Sequence, residues 1–263
     1  MTPKRVVELS FSPCGNTSKV AHIVAEELAK KYNIELVVDK FTLPKEREAL
    51  RTFSESDLLV IASPTYAGKL PNKILPDFQE KIKADGAKAI AIVTYGNRSF
   101  DNSLAELLKT LKTNGFSVPG AAAIVTEHSM SHIAKGRPNA EDAAELKKFA
   151  NSIDLDLEAS VIGDADAPYY VPKQENGEPA KFLKAVPKTD ADKCINCGLC
   201  ASLCPMGSIN SDNTNEIIGV CIKCHACVNG CKEGAKYFDD EQLLSHIRML
   251  QNTFAERKEN TFF

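Results

Sequence analysis

Long apolar runs, a secretory leader and a basic face are all missing from these 263 residues, and each absence removes a class of protein. No stretch approaches the run of about 18 apolar residues that a membrane-spanning helix needs, so no span is expected. Met1-Thr2-Pro3-Lys4-Arg5 leads straight into a strand-like Val6-Val7 with no apolar leader, which argues for the cytoplasm. Residues 1–160 carry 21 Lys+Arg against 21 Asp+Glu, and residues 161–263 carry 11 against 14. Neither half has the excess of base that nucleic acid requires. Hydrophobic content of 43% and charged content of 25% are ordinary for a globular chain, and the length suits two domains. Cysteine is scarce except in one stretch: Cys14 stands alone, and the other eight lie between Cys194 and Cys231.

Those eight form two copies of one frame, C-x2-C-x2-C-x3-C: Cys194, Cys197, Cys200 and Cys204, then Cys221, Cys224, Cys227 and Cys231. Three thiolates so close in sequence can take the corners of one iron-sulfur cube, while the fourth, set one residue further on, completes the other cube. The frame therefore predicts one 4Fe-4S cluster on Cys194, Cys197, Cys200 and Cys231 and another on Cys221, Cys224, Cys227 and Cys204. Two other uses of the thiols stand beside this one. A disulfide framework is disfavoured by the missing leader and by a chain long enough not to need stapling. Zinc knuckles pair two Cys-x-x-Cys units across a longer spacer, and a third cysteine after two more residues departs from that geometry. With eight thiols in place, His132 and His225 are read as ordinary side chains rather than ligands.

The copies are an internal repeat offset by 27 residues, with Gly207 and Gly234 at equivalent places. In these residues the stretch 188–240 resembles bacterial two-cluster ferredoxins, which implies a small pseudo-symmetric α+β unit around two cubes. Pro205 follows Cys204 as that family expects, whereas Lys232 follows Cys231. Proline there shapes a turn and ligates nothing, so the departure bears on local geometry or potential rather than on occupancy.

The first 160 residues read differently. Val6–Phe11, Ile34–Asp39, Asp57–Ala62, Lys88–Thr94 and Gly120–Val125 are strand-like apolar runs, each but the last followed by a crossover segment. Leu104, Leu107, Leu108 and Leu111 mark a helix face that stops at Asn114-Gly115. Leu146, Phe149, Ala150 and Ile153 mark another, after an Asn139 cap with Asp142 in the first turn. Such alternation predicts a doubly wound α/β domain with five parallel strands, whose ligands sit at the carboxyl ends of the strands. Ser12-Pro13-Cys14-Gly15-Asn16-Thr17-Ser18 joins the first strand to a helix start, which makes it an anion site.

Here the chain resembles flavodoxins: Ser12-x-Cys14-Gly15-Asn16-Thr17 matches the family's phosphate loop, with Cys14 where the pattern has threonine. A thiol is the weaker donor, so the resemblance implies weaker FMN affinity; a helix N-terminus also lowers a thiol's pKa, which leaves an activated nucleophile as the minor alternative. By the same resemblance, the loops Pro64-Thr65-Tyr66-Ala67-Gly68-Lys69 and Thr94-Tyr95-Gly96-Asn97-Arg98-Ser99-Phe100-Asp101 flank the isoalloxazine ring. Tyr66 and Tyr95 become candidates to stack on it, and Gly68 and Gly96 would let backbone amides approach its polar rim. Ordinary loop packing is the alternative for both tyrosines. His128 can approach the flavin or stand free in its loop.

Residues 161–187, with Pro168, Pro172, Pro179 and Pro187, read as a linker anchored by Tyr169, Tyr170, Phe182 and Leu183. Residues 241–263 read as a C-terminal helix with Leu243, Ile247, Leu250 and Phe254 on its apolar face. Taken together the chain resembles flavodoxin-ferredoxin fusion proteins of anaerobic bacteria. That resemblance implies an electron-transfer flavoprotein with FMN and two 4Fe-4S clusters, serving a redox protein donor or acceptor. No general acid or nucleophile stands out near the expected ring, so no catalytic residue is nominated. A flavin-dependent reductase of a small acceptor, such as a quinone or nitro compound, and a zinc-stabilised interaction module remain as alternatives.

Overall fold

The five apolar runs pair as parallel strands in a computed structural model that describes residues 2–263. In chain order the first domain contains β1 (Arg5–Ser10), α1 (Asn16–Tyr32), β2 (Glu35–Lys40), β3 (Arg51–Ser54), β4 (Asp57–Pro64) and α2 (Leu75–Lys81). It continues with β5 (Ile82–Asp85), β6 (Lys88–Tyr95), α3 (Ser103–Thr113), β7 (Ser117–Val125) and α4 (Ala140–Ser152). Beyond the linker come β8 (Lys188–Thr189), α5 (Leu199–Ser202), α6 (Ala226–Asn229), β9 (Lys236–Tyr237), α7 (Glu241–Thr253) and β10 (Thr261–Phe262). Among the described residues no helix is long and apolar enough to cross a membrane.

The main sheet runs β10-β7-β6-β4-β1-β2, with every neighbouring pair parallel except β10 against β7. Its five parallel strands follow the 2-1-3-4-5 order of flavodoxin-like sheets, in which the order reverses beside β1. Alternate residues point to opposite faces. Val7, Leu9, Phe11, Leu59, Ile61, Ala91 and Val93 join Phe78, Leu104, Leu107 and Leu111 from α2 and α3 in one core. Val6, Leu58, Val60, Ile90, Ile92 and Ile124 join Val20, Val24 and Leu28 of α1 and Leu146 and Phe149 of α4 in the other. Burial on both faces is why the strands read as unbroken apolar runs. Each large side chain so buried contributes about 1.5–3 kcal/mol.

The helix signals hold. Asn139 Oδ1 accepts from the Asp142 amide at 3.1 Å while the Asn139 amide donates to Asp142 Oδ2 at 2.9 Å, a reciprocal cap. Gly115, at φ 95°, ends the α3 turn where an added Cβ would lie 2.5 Å from the Ala84 carbonyl oxygen. The short parallel ribbon β3–β5 had no usable sequence signal, because RTFS does not alternate and the alternation of IKAD covers only four residues.

The C-terminal segment departs from the expected helix over 241–263. The helix ends at Thr253, and the chain then returns to the first domain to add β10 to the edge of its sheet. Phe262 packs on Phe149 with ring centroids 5.1 Å apart. Asn260 fixes the register: its Oδ1 accepts from the Val125 amide at 2.9 Å, and its Nδ2 donates to Asp142 at 2.9 Å and Glu145 at 2.6 Å. Asp142, fully buried, is paired with buried Arg137; burial raises its pKa, but the bonds from Arg137, Asn139 and Asn260 together outweigh that and keep it below the ordinary carboxylate range. The tail therefore completes a buried polar network rather than lying on a surface.

Glu8 is a second buried carboxylate, on the α1 face of β1, and His22 Nδ1 reaches it at 2.8 Å. Burial raises its pKa, and the His22 contact only partly offsets that. A folded-state pKa above the unfolded one means that folding favours the protonated acid, so stability is lost as pH rises through the folded pKa.

Two outcomes follow. Asn260→Ala is expected to cost about 1–3 kcal/mol in urea unfolding, because it strands the Val125 amide and part of the Asp142 carboxylate. Glu8→Gln is expected to raise Tm at pH 8 and leave it unchanged at pH 4; a lower Tm at pH 8 would show that the contact with His22 stabilises on balance.

Candidate functional site

The segment after β1 folds as an anion loop. Gly15 takes φ 86° ahead of the 17-residue helix α1, whose first turn has neither a side-chain cap nor an acidic residue. The Ser12 amide donates to Thr42 Oγ1 and the Ser18 amide to Ser12 Oγ, both at 2.9 Å. Among the described residues the amides of Cys14, Asn16 and Thr17 donate to nothing. Unspent amides at the positive end of a helix form a ready cradle for a phosphate.

That loop opens into a cavity of about 870 Å3 at the carboxyl ends of β1, β4 and β6, near the upper end of the range for small-molecule sites. Ser12, Pro13, Cys14, Asn16, Thr17, Pro64, Thr65, Tyr66, Gly68, Thr94, Tyr95, Gly96 and Arg98 line it, as do Ala67 and Ser99. Gly15 sets the turn without lining the wall. Thr17 and Thr94 clasp their hydroxyls at 2.7 Å, and the Tyr66 amide bonds the Lys69 carbonyl at 2.8 Å, closing the second loop on itself.

Three expected ring-side residues serve the fold instead. Asn97 is buried, and its Nδ2 donates to the carbonyls of Phe254 at 2.6 Å and Glu256 at 2.8 Å, holding the C-terminal tail. Phe100 packs on the α3-side core and against Tyr95 at 5.5 Å between centroids. Asp101 pairs with Arg98. Tyr95 is turned into the same core, with its hydroxyl donating to the Glu259 carbonyl at 3.3 Å, so Tyr66 is the freer aromatic at the cavity. Lys69 likewise turns away, to Glu106 at 3.0 Å and the Ala167 carbonyl at 3.1 Å. Both glycines line the cavity and are also required by packing behind it: a Cβ on Gly68 would strike Asp101, and one on Gly96 would strike the His128 ring.

His128 belongs to the wall. Its Nδ1 accepts from the Ser131 amide at 3.2 Å and the Ser131 hydroxyl at 2.9 Å, which leaves the proton on Nε2. Burial, with help from nearby His246, His225, His132 and Arg98, brings its pKa down to about 3, so it is a neutral donor.

A roof comes from outside the α/β domain. Tyr170 donates its amide to the Ala67 carbonyl at 2.8 Å and lies under the Arg98 guanidinium at 3.9 Å from the ring centroid. Phe182 stacks on His246 of α7 at 5.4 Å, and both line the cavity. Leu183, expected to be an anchor, is 89% exposed at the rim and contributes its carbonyl to Lys223 instead.

The two cysteine runs superimpose in backbone as they do in sequence. Asn196 and Lys223 both have φ 54°, Gly198 and His225 have 73° and 62°, and Gly207 and Gly234 have 59° and 61°. The amides of Ser208 and Ala235 donate to Cys204 and Cys231 Sγ, each at 3.3 Å, and the Lys223 amide donates to Cys221 Sγ at 3.4 Å. Burial raises the Cys231 pKa, but amides from Ala235 and its neighbours outweigh it and bring it below the usual thiol value. Amides aimed at sulfur suit thiolate ligands.

The donor set fits a cube. Cys204, Cys221, Cys224 and Cys227 line one small enclosed cavity together with Ile209, Ile217, Ile222 and Phe238. His225 lines the same space and, among the described residues, its buried Nε2 is without a hydrogen-bond partner. Sequence reasoning took His225 for an ordinary side chain and gave the linker apolar anchors without placing them over the cavity, since neither position follows a motif.

Cys14 resolves otherwise than expected. Its Sγ–H donates to the Cys224 carbonyl at 3.2 Å rather than into the anion loop, and burial pushes its pKa up to about 11 despite a bond from Asn229. It is an interdomain contact, not an activated nucleophile.

Profiles for a 4Fe-4S binding domain match residues 187–210 and 218–234. An uncharacterized ferredoxin of Methanocaldococcus jannaschii is 31% identical over 75 residues, covering 27% of this chain and 51% of that one. Another from the same organism is 33% identical over 95 residues, covering 31% and 62%. The chain thus spans about half to three fifths of the length of these two relatives. A flavodoxin from the domain Archaea aligns over 56% of this chain and 93% of its own at 16% identity and TM-score 0.38. Oxidised flavodoxin 2 from Bacillus cereus aligns over 56% and 95% at 17% identity and TM-score 0.42. The chain joins an N-terminal domain of flavodoxin-like fold to C-terminal 4Fe-4S ferredoxin domains.

Proposed function

We propose that this chain is an electron-transfer flavoprotein that holds FMN in the crevice beside β1 and two 4Fe-4S clusters on its eight C-terminal cysteines. The observation that carries the reading is a shared wall: the cavity opened by the anion loop is closed on another side by Cys221 and Cys224. Bound flavin would supply the exchange between one-electron and two-electron chemistry that a cube lacks. The amides of Cys14, Asn16 and Thr17 would hold the phosphate, and Thr65, Tyr66 and Gly96 would border the ring. His128 Nε2–H donates into the crevice without changing charge near neutral pH. Tyr170, Phe182 and Leu250 exclude water from above. Covalent attachment of the two domains keeps donor beside acceptor at high effective concentration.

The reductase alternative is favoured by one feature, the roof of linker and α7, which encloses more space than the three loops alone. Anaerobically reduced protein that small quinones or nitro compounds reoxidise with saturation kinetics would establish it; simple second-order reoxidation supports the carrier.

The direct test is anoxic purification with flavin, iron and acid-labile sulfide quantified. Bound FMN and two cubes' worth of iron and sulfide are expected, whereas zinc without sulfide would overturn the cluster reading. Asn16→Asp is expected to weaken FMN binding by about ten- to a hundred-fold, about 1.4–2.8 kcal/mol, with cluster content unchanged. Unaltered FMN affinity would show that the phosphate lies elsewhere.

A further inference from the structure

The eight cysteines are not equivalent toward the crevice. Cys221 and Cys224 line it; among the described residues Cys194, Cys197, Cys200 and Cys231 do not. Most contacts that seat the cysteine domain on the sheet domain have the same bias, Asn229 between Cys227 and Cys231, which donates to the Ser129 carbonyl at 2.9 Å, being common to both groups. Cys14 bonds the Cys224 carbonyl at 3.2 Å. Arg47, buried and paired with Asp77 at 2.7 Å, donates to the carbonyl of Pro205 at 2.9 Å, one residue past Cys204. Met206 and Ile222 pack on the α3-side core. Each of these belongs to a segment bearing Cys204, Cys221 or Cys224. At the other cysteine run Cys197 is exposed, and the neighbouring Ile195 is 66% exposed among Asp192, Lys193 and Asn196.

We propose that the cube on Cys204, Cys221, Cys224 and Cys227 is the inner one, exchanging electrons with the flavin, and that the cube on Cys194, Cys197, Cys200 and Cys231 is the outer one, met by a one-electron redox protein at the Ile195–Cys197 face. This rests on the FMN reading and adds an order to it. Electron exchange weakens steeply with separation, so the centre whose ligands wall the crevice is the flavin's partner. The centre with an exposed ligand is the one that an external cofactor can approach. Each passage moves one electron and no atoms; two passages, with protons from water, account for full reduction of bound flavin, and the reverse passages for its oxidation by the same carrier. Ile195 offers that carrier an apolar contact within a polar rim, as protein interfaces commonly do.

The test is an EPR-monitored redox titration of the anoxically purified full chain, with FMN bound and after its removal, in wild type, Cys200→Ser and Cys227→Ser. Each serine variant marks its own cube by an altered signal; Cys197→Ser and Cys221→Ser replace either variant that fails to fold. FMN removal is expected to shift the midpoint of the cube marked by Cys227→Ser and leave the other in place. A shift confined to the cube marked by Cys200→Ser, or equal shifts in both, would overturn the order. Ile195→Glu is expected to slow flavin reduction by reduced bacterial ferredoxin at least about tenfold, with both midpoints and the flavin content as in wild type; an unchanged rate would remove the port. Flavin content is measured first, so absence of FMN sinks the flavin reading separately from the order of the cubes.

Discussion

β1 is paired on both sides, with β2 and with β4, and that one arrangement creates the site. The crossovers leaving β1 and β4 must diverge to opposite faces, so a crevice opens at their carboxyl ends. Into it project the anion loop, the Tyr66 turn and the Gly96 loop, each held at its root by a strand that is buried on both faces. The buried sheet makes the loops rigid enough for backbone amides to act as ligands.

The rest of the chain is folded back onto that crevice. The linker is pinned by the Lys69 and Tyr170 contacts. The α7 helix contributes His246 and Leu250 to the roof. The tail is threaded under Asn97 and locked by Asn260 into the network of Arg137 and Asp142. A chain that could have been two modules on a flexible tether instead has its C-terminus built into the sheet of its N-terminal domain. The separation and orientation of the two sites are thereby set by buried hydrogen bonds rather than by linker statistics.

Several polar groups around the crevice are held neutral. Burial lowers the pKa of His128 and His225 and raises those of Cys14 and of Tyr66, the latter also through the nearby Cys224, Cys14 and Cys221. Charges close to the cavity, such as Arg98 and Lys69, are paired with Asp101 and Glu106.

The sequence by itself determined the parallel sheet, the anion loop and the two cysteine frames. Unbroken apolar runs, a strand-loop-helix junction and a fixed cysteine spacing are local patterns, and each reports local geometry directly. It also determined the α3 stop at Gly115 and the Asn139 cap, for the same reason. Tertiary structure alone decided that Cys14 serves the interface rather than the phosphate, that Asn97, Phe100 and Asp101 turn from the crevice, and that residues 254–263 leave the helix to pair with β7. Those outcomes depend on partners more than a hundred residues away, or on which of two faces a loop side chain finds space, and no periodicity along the chain encodes either.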